Sequence, residues 1–169
     1  MRRTADADGP GSAAATDRFY SWENGQIALE FSGSSAANLS HRYLYRPAVD
    51  QILADETVSS LTSPGSILWP LTDHLGTARD LATYNETTGA TTIANHRTYD
   101  SFGNLTSETN STVNFAFGFT GGLYDESTKL TYRTARWYVA QSGVWLSEDP
   151  ISFGGGDVNL RRYVATILR

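Results

Sequence analysis

The chain has 169 residues, 40% of them hydrophobic and only 18% charged, with a formal net charge of −5 at neutral pH. That length can bury a core as one domain, and the acidic balance, with Lys129 the single lysine and the arginines scattered, leaves no footprint for nucleic acid. The absence of cysteine excludes disulfides, a thiol nucleophile and a cysteine-based zinc site, and no apolar run approaches the roughly 18 residues of a membrane helix.

Residues 1 to 17, MRRTADADGPGSAAATD, hold few bulky apolar groups and are expected to form a disordered lead-in. Their two arginines are followed by acidic and small residues, not by the apolar stretch of a signal peptide. From Arg18 the pattern changes. RFYSWENGQIALEF predicts a hairpin turning at Glu23-Asn24-Gly25, because Asn and Gly both tolerate positive φ. NLSHRYLYRPAVDQILADETV predicts two further strands broken at Arg46-Pro47, and the stretch from Ser66 to Tyr99 two more around a turn from Asn85 to Gly89. A turn at Asp100 to Gly103 leads to three or four short strands between Val113 and Ile151. The glycine-rich end admits a short helix between Gly154 and Leu168.

One unit recurs along this series. An aromatic residue precedes a polar turn at Tyr20, Tyr84, Tyr99, Tyr124 and Tyr138, and Gly25, Gly89, Gly103 and Gly143 follow four of them. Tyr supplies a large ring with a polar tip. An adjacent Asp or Asn can close a turn onto backbone two residues on, and Gly supplies the left-handed conformation that reverses the chain. Consecutive hairpins of this kind extend one another edge to edge into an antiparallel sheet.

Several segments resemble the RHS/YD-repeat family. YDSFGNLTSET resembles its YD repeat, LTDHLGTARDLA the Asp-His-Leu-Gly-Ser-x-Arg segment of its RHS-repeat-associated core, and FTGGLYDESTKLTYRTARWY the Tyr-Asp-x-x-Thr-Gly-Leu-x-Tyr-x-Arg-Ala-Arg-Tyr-Tyr segment. WLSEDPI and GGGDVNLRRYV resemble the Asp-Pro-Ile segment and the end of that core, in family order. The resemblance divides the chain into the lead-in (1–17), YD-repeat-like hairpins (18–68), the associated core (69–164) and an aberrant tail (165–169). It implies a mainly β fold: consecutive antiparallel YD-type hairpins in a curved sheet, a fragment of the hollow β-shell shared with teneurins. Intact relatives are large secreted or cell-surface proteins, and in bacterial members the shell encloses a C-terminal toxin. The implied partners are therefore the remaining shell and an encapsulated toxin. A fragment of that kind is expected to have two open sheet edges and an apolar face without a covering layer.

In some members the core is an aspartyl autoprotease that releases the toxin. The resemblance carries that role to Asp149 of SEDP, with Asp157 the next acid, eight residues on in a glycine-rich turn. An aspartic site needs two carboxylates close enough to share a proton. Three departures weigh against the chemistry. Val144 stands where the family has an arginine, Ser152 replaces a glycine, and the downstream segments holding the cut site are expected to be missing beyond Arg169. The ending VATILR matches what one deleted base makes of a family-like Val-Gly-Asn-Asn-Pro-Thr under one choice of codons, which suggests a frameshift. As a plain turn carboxylate, Asp149 would close the bend before Pro150.

Other constellations point to no cofactor. Of His41, His74 and His96, only His74 has an acid beside it in sequence, Asp73, and no histidine has a second ligand at metal spacing. No glycine stretch has phosphate-loop spacing. The four tryptophans and the tyrosines form either a sugar-stacking surface or a packed aromatic ladder across hairpins. Three readings follow: a structural shell fragment without activity, a self-cleaving core, and a carbohydrate- or cell-binding surface module.

Overall fold

A computed structural model of the chain describes residues 1–5, 15–47 and 51–163. Among these, nine strands pair in chain order into one antiparallel sheet. They are β1 (Arg2–Ala5), β2 (Thr16–Glu23), β3 (Gln26–Phe31), β4 (Leu39–Tyr45), β5 (Ile52–Thr57), β6 (Ser66–Thr72), β7 (Ala78–Asn85), β8 (Ala90–Tyr99) and β9 (Leu105–Glu108). The expected succession of hairpins is therefore present, but it divides after Glu108. A second antiparallel sheet holds β10 (Leu123–Asp125), β11 (Leu130–Arg133), β12 (Arg136–Val139) and β13 (Val144–Trp145). Register shifts at Ser21/Trp22, Glu30/Phe31, Leu44/Tyr45, Leu71/Thr72, Leu81/Ala82 and Thr98/Tyr99 mark bulges. Such bulges bend strands and increase their twist.

One expectation, at the start of the chain, needs correction. Arg2–Ala5, placed by sequence in the disordered lead-in, is strand β1 and pairs residue for residue with Thr16–Phe19 of β2. Its side chains gain partners that composition does not reveal: Arg2 and Thr4 both bind Asp17. Residues 6–14 of the lead-in lie outside the described residues. At the other end, Ser152–Gly155 forms a 3-10 turn, and no α-helix occurs among the described residues. Residues 164–169, which include the aberrant tail, lie outside them. Among the described residues no helix is long and apolar enough to cross a membrane.

The inner apolar face of the large sheet is not bare. Tyr20, Ile27, Tyr43, Ile52 and Leu81 point from five of its strands into a core that also contains Phe115, Phe117 and Leu123. Phe115 and Phe117 belong to the segment between the sheets, which lies across the inner face as the missing layer, and Leu123 opens β10. Tyr43 and Tyr45 meet Phe117 edge-on at 5.0 and 6.2 Å between ring centroids. The opposite face is uncovered, and Ile67, Trp69, Leu71, Tyr84 and Ile93 are exposed there. Among the described residues the outer strands of this sheet are β1 and β9. Phe117→Ala should therefore lower the stability of the chain by about 3–5 kcal/mol in urea titration. Leu71→Ala, on the uncovered face, should stay within about 0.5 kcal/mol of the parent.

Candidate functional site

The tyrosine–turn unit works as its residue types suggest. Asp100 Oδ1 accepts the N–H groups of Phe102 and Asn104 at 2.8 and 2.9 Å, and Oδ2 accepts from Asn104 Nδ2 at 2.8 Å. These hydrogen bonds, the Asn104 side chain first, hold the Asp100 carboxyl below its ordinary value. Gly103 turns the chain at φ 88°, and any Cβ there would stand 2.3 Å from the Phe119 ring, so no other residue fits. The same device recurs at Asp125, whose Oδ1 accepts from Ser127 N–H at 2.9 Å, and at Asn85, whose Oδ1 accepts from Thr87 N–H at 2.9 Å.

These turns also serve as docking points between the sheets. Tyr138, on β12, is 1% exposed and donates its hydroxyl to the Phe102 carbonyl at 2.8 Å. Burial, then Tyr163 and Asp100, push that phenol up to about 12. Asn104 Nδ2 donates to the Ala140 carbonyl at 3.2 Å. Arg3, on β1, grips both oxygens of Asp125 at 2.6 Å, across 122 residues of chain. The Asp73–Arg79 loop is built alike. Asp73 Oδ1 accepts from Leu75 and Thr77 N–H at 3.0 Å, Oδ2 from Arg79 at 3.1 Å, and buried Thr77 Oγ1 accepts from Thr120 N–H at 3.0 Å. Asp73 is thus committed to its own loop, while His74 is exposed beside it.

The two candidate acids sit in the C-terminal clasp, and the structure does not join them. Asp149 N–H donates to the Leu160 carbonyl at 2.9 Å, and Asp149 Oδ1 accepts from Ile151 N–H at 3.0 Å. Its Oδ2 lies 2.9 Å from the Arg136 guanidinium, which also covers the Trp145 ring at 4.3 Å. Asp157 closes its own turn onto Asn159 N–H at 2.8 Å and faces Arg162 at 3.5 Å. No hydrogen bond or ion pair links Asp149 to Asp157, so each carboxylate has its own cation and its own turn. Val144 does not leave Asp149 without a positive partner: Arg136, one strand away, takes that place. Sequence reasoning missed it because β12 and the Asp-Pro turn come together through the pairing of β12 with β13 and the packing of Trp145 with Tyr138 and Tyr163.

Sequence reasoning also missed a buried polar cluster under the inner face. Glu30 (2% exposed) accepts from Tyr43 hydroxyl at 2.8 Å and is ion-paired with Arg18. Asp55 (1% exposed) lies 2.7 Å from His41 Nδ1 through one oxygen, and its other oxygen has no partner. Among the described residues no group of three or more His, Cys, Asp or Glu side chains could hold a metal ion.

The family model of the teneurin YD-shell matches residues 50–154. The chain belongs to this family. Its fold is similar to that of TcdB2-TccC3-Cdc42, at 16% identity over 97% of this chain and 9% of that one, with a TM-score of 0.62. It is also similar to the Photorhabdus luminescens Tc holotoxin pore with a TccC3 mutation, at 16% identity over 97% and 9% of the two chains, with a TM-score of 0.56. TcdB2-TccC3 without its hypervariable C-terminal region gives 18% identity over 95% and 9%, with a TM-score of 0.55. At such identities the likeness is one of fold, and this chain spans about 9% of the length of those chains. No curated protein matches it in sequence.

The clasp yields a graded series. Asp149→Asn keeps an oxygen for the Ile151 N–H but loses the charge facing Arg136, and should cost about 1 kcal/mol by urea titration. Arg136→Ala removes the ion pair and the stacking on Trp145 together and should cost about 2 kcal/mol.

Proposed function

We propose that the chain is a non-catalytic structural segment of a YD-repeat shell wall, drawn from a large secreted or cell-surface protein of the polymorphic-toxin kind. The observation that carries this is the use made of its conspicuous carboxylates. Asp73, Asp100, Asp125, Asp149 and Asp157 each close a turn onto backbone N–H groups. An aspartic protease pair instead needs two carboxyls sharing one proton. The family match and the resemblance in fold to TcdB2-TccC3 structures support the shell role. On this reading the partners are the neighbouring turns of the same shell, with a C-terminal toxin segment as its cargo.

The aromatic residues favour packing over sugar stacking. Tyr132 meets Trp22 and Trp137 at 6.2 and 5.1 Å, and Trp145 is buried among Tyr138 and Tyr163. The test of the whole reading is stability of the covalent chain. The purified 169-residue protein, held at neutral and mildly acidic pH, should keep one intact mass in mass spectrometry. Cleavage at a defined bond, stopped by Asp149→Asn, would establish the self-cleaving core instead.

A further inference from the structure

The inner face of β2–β5 holds more negative charge than its environment can keep. Four ionisable groups lie close together there: Arg18 on β2, Glu30 on β3, His41 on β4 and Asp55 on β5. Glu30 and Asp55 are almost wholly out of water. Arg18 answers Glu30, so with a neutral imidazole the cluster is left with one uncompensated buried carboxylate. A proton on His41 removes that imbalance, because Nδ1 of the imidazolium donates to Asp55 at 2.7 Å. We propose that the His41–Asp55 pair is a proton-operated latch on the inner face of the wall, closed when His41 carries its proton.

Three features connect the proton to the rest of the fold. His41 lines a cleft of about 330 Å³, shared with Arg3, Arg18, Glu30, Tyr124 and Glu126, and keeps part of its ring open to water there. The Tyr43 ring lies flat against the imidazole at 5.8 Å and 10°. The same Tyr43 donates to Glu30 and meets Phe117 edge-on. Loss of the proton therefore acts on the ring that carries the covering segment.

The electrostatic environment agrees with this arrangement. Burial pulls the His41 imidazole down, but Asp55, by hydrogen bond and charge, and then Glu30 outweigh it and hold it above its ordinary value against Arg18. Burial raises the Asp55 carboxyl, with His41 opposing and Glu30 adding to the rise. Both folded values exceed the unfolded ones, so the folded chain binds protons more tightly. The stability from His41 is complete below about pH 6.5, the ordinary imidazole value, and is lost as pH rises through the raised one. Asp73, Asp100 and Asp125 are held low and act oppositely, but only in the acid range below the ordinary carboxylate value.

The test is a set of thermal melts of the 169-residue chain between about pH 6 and 9, with NMR titration of its three histidines. The parent should melt several degrees lower at the alkaline end, and the signal lost in His41→Gln should titrate above the ordinary imidazole value. His41→Gln should flatten the pH dependence. Asp55→Asn, which removes the buried charge and keeps a hydrogen-bonding group, should also flatten it and melt at or above the parent at the alkaline end. A His41 signal titrating at or below the ordinary value, or a His41→Gln variant with the parent's slope, would overturn the latch.

Discussion

An antiparallel sheet with an apolar face is stable only when something is laid over it. Here the cover is the segment of residues 113–121, which folds back onto β10 through the Ala116 carbonyl and a bridge between Phe117 and Leu123, and its remaining backbone carbonyls need partners in the core. The buried polar residues of the large sheet answer that need. Arg97, 4% exposed, donates to the carbonyls of Phe115 and Phe117 at 3.2 and 3.4 Å, and Asn95 reaches the Val113 carbonyl at 3.5 Å. Thr77 and the Ala78 N–H meet the far end of the stretch at Thr120 and Gly118. Polar groups that look misplaced in β8 and just before β7 are thus what allows Phe115 and Phe117 to fill the inner face.

The second sheet depends on the same arrangement. It begins at Leu123, where the cover ends, and is tied back through the Asp100 turn to β12 and through Asp125 to β1. The large sheet is built by adding hairpins in chain order, and the hairpin turns here do two things at once. They reverse the chain, and they present a carbonyl or a carboxylate that a distant strand can grip. That double use accounts for the pairing of Tyr with Asp or Asn in the repeat: the ring packs beneath the turn while the acid fixes its shape.

The hairpins were legible because their turns are written in adjacent residues. Asn24-Gly25 takes positive φ at both positions, and the turns at Asn85 and Asp100 fall between the strands they were expected to join. The cover was not legible. Phe115, Phe117 and Phe119 alternate as any strand would, and nothing local distinguishes a strand in a sheet from one laid across it. The cluster of Glu30, His41 and Asp55 was hidden for a different reason. Which residues face each other across β3, β4 and β5 depends on bulges at Glu30/Phe31 and Leu44/Tyr45 that shift the register by a residue. Asp149 and Arg136 are likewise close only after Trp145 has been packed, so their pairing is a property of the folded clasp.

The grip of Arg3 on Asp125 bears on the order of events during synthesis. Strand β1 leaves the ribosome well before the carboxylate that holds its inner side, which arrives 122 residues later. At roughly 5–20 residues per second that interval is on the order of ten seconds. Throughout it the first hairpins have neither Phe117 above them nor Asp125 beside them, and they must remain unpaired with foreign strands. Until its closing half has been made, a nascent chain of this kind needs a temporary partner, such as a chaperone, on its open edges.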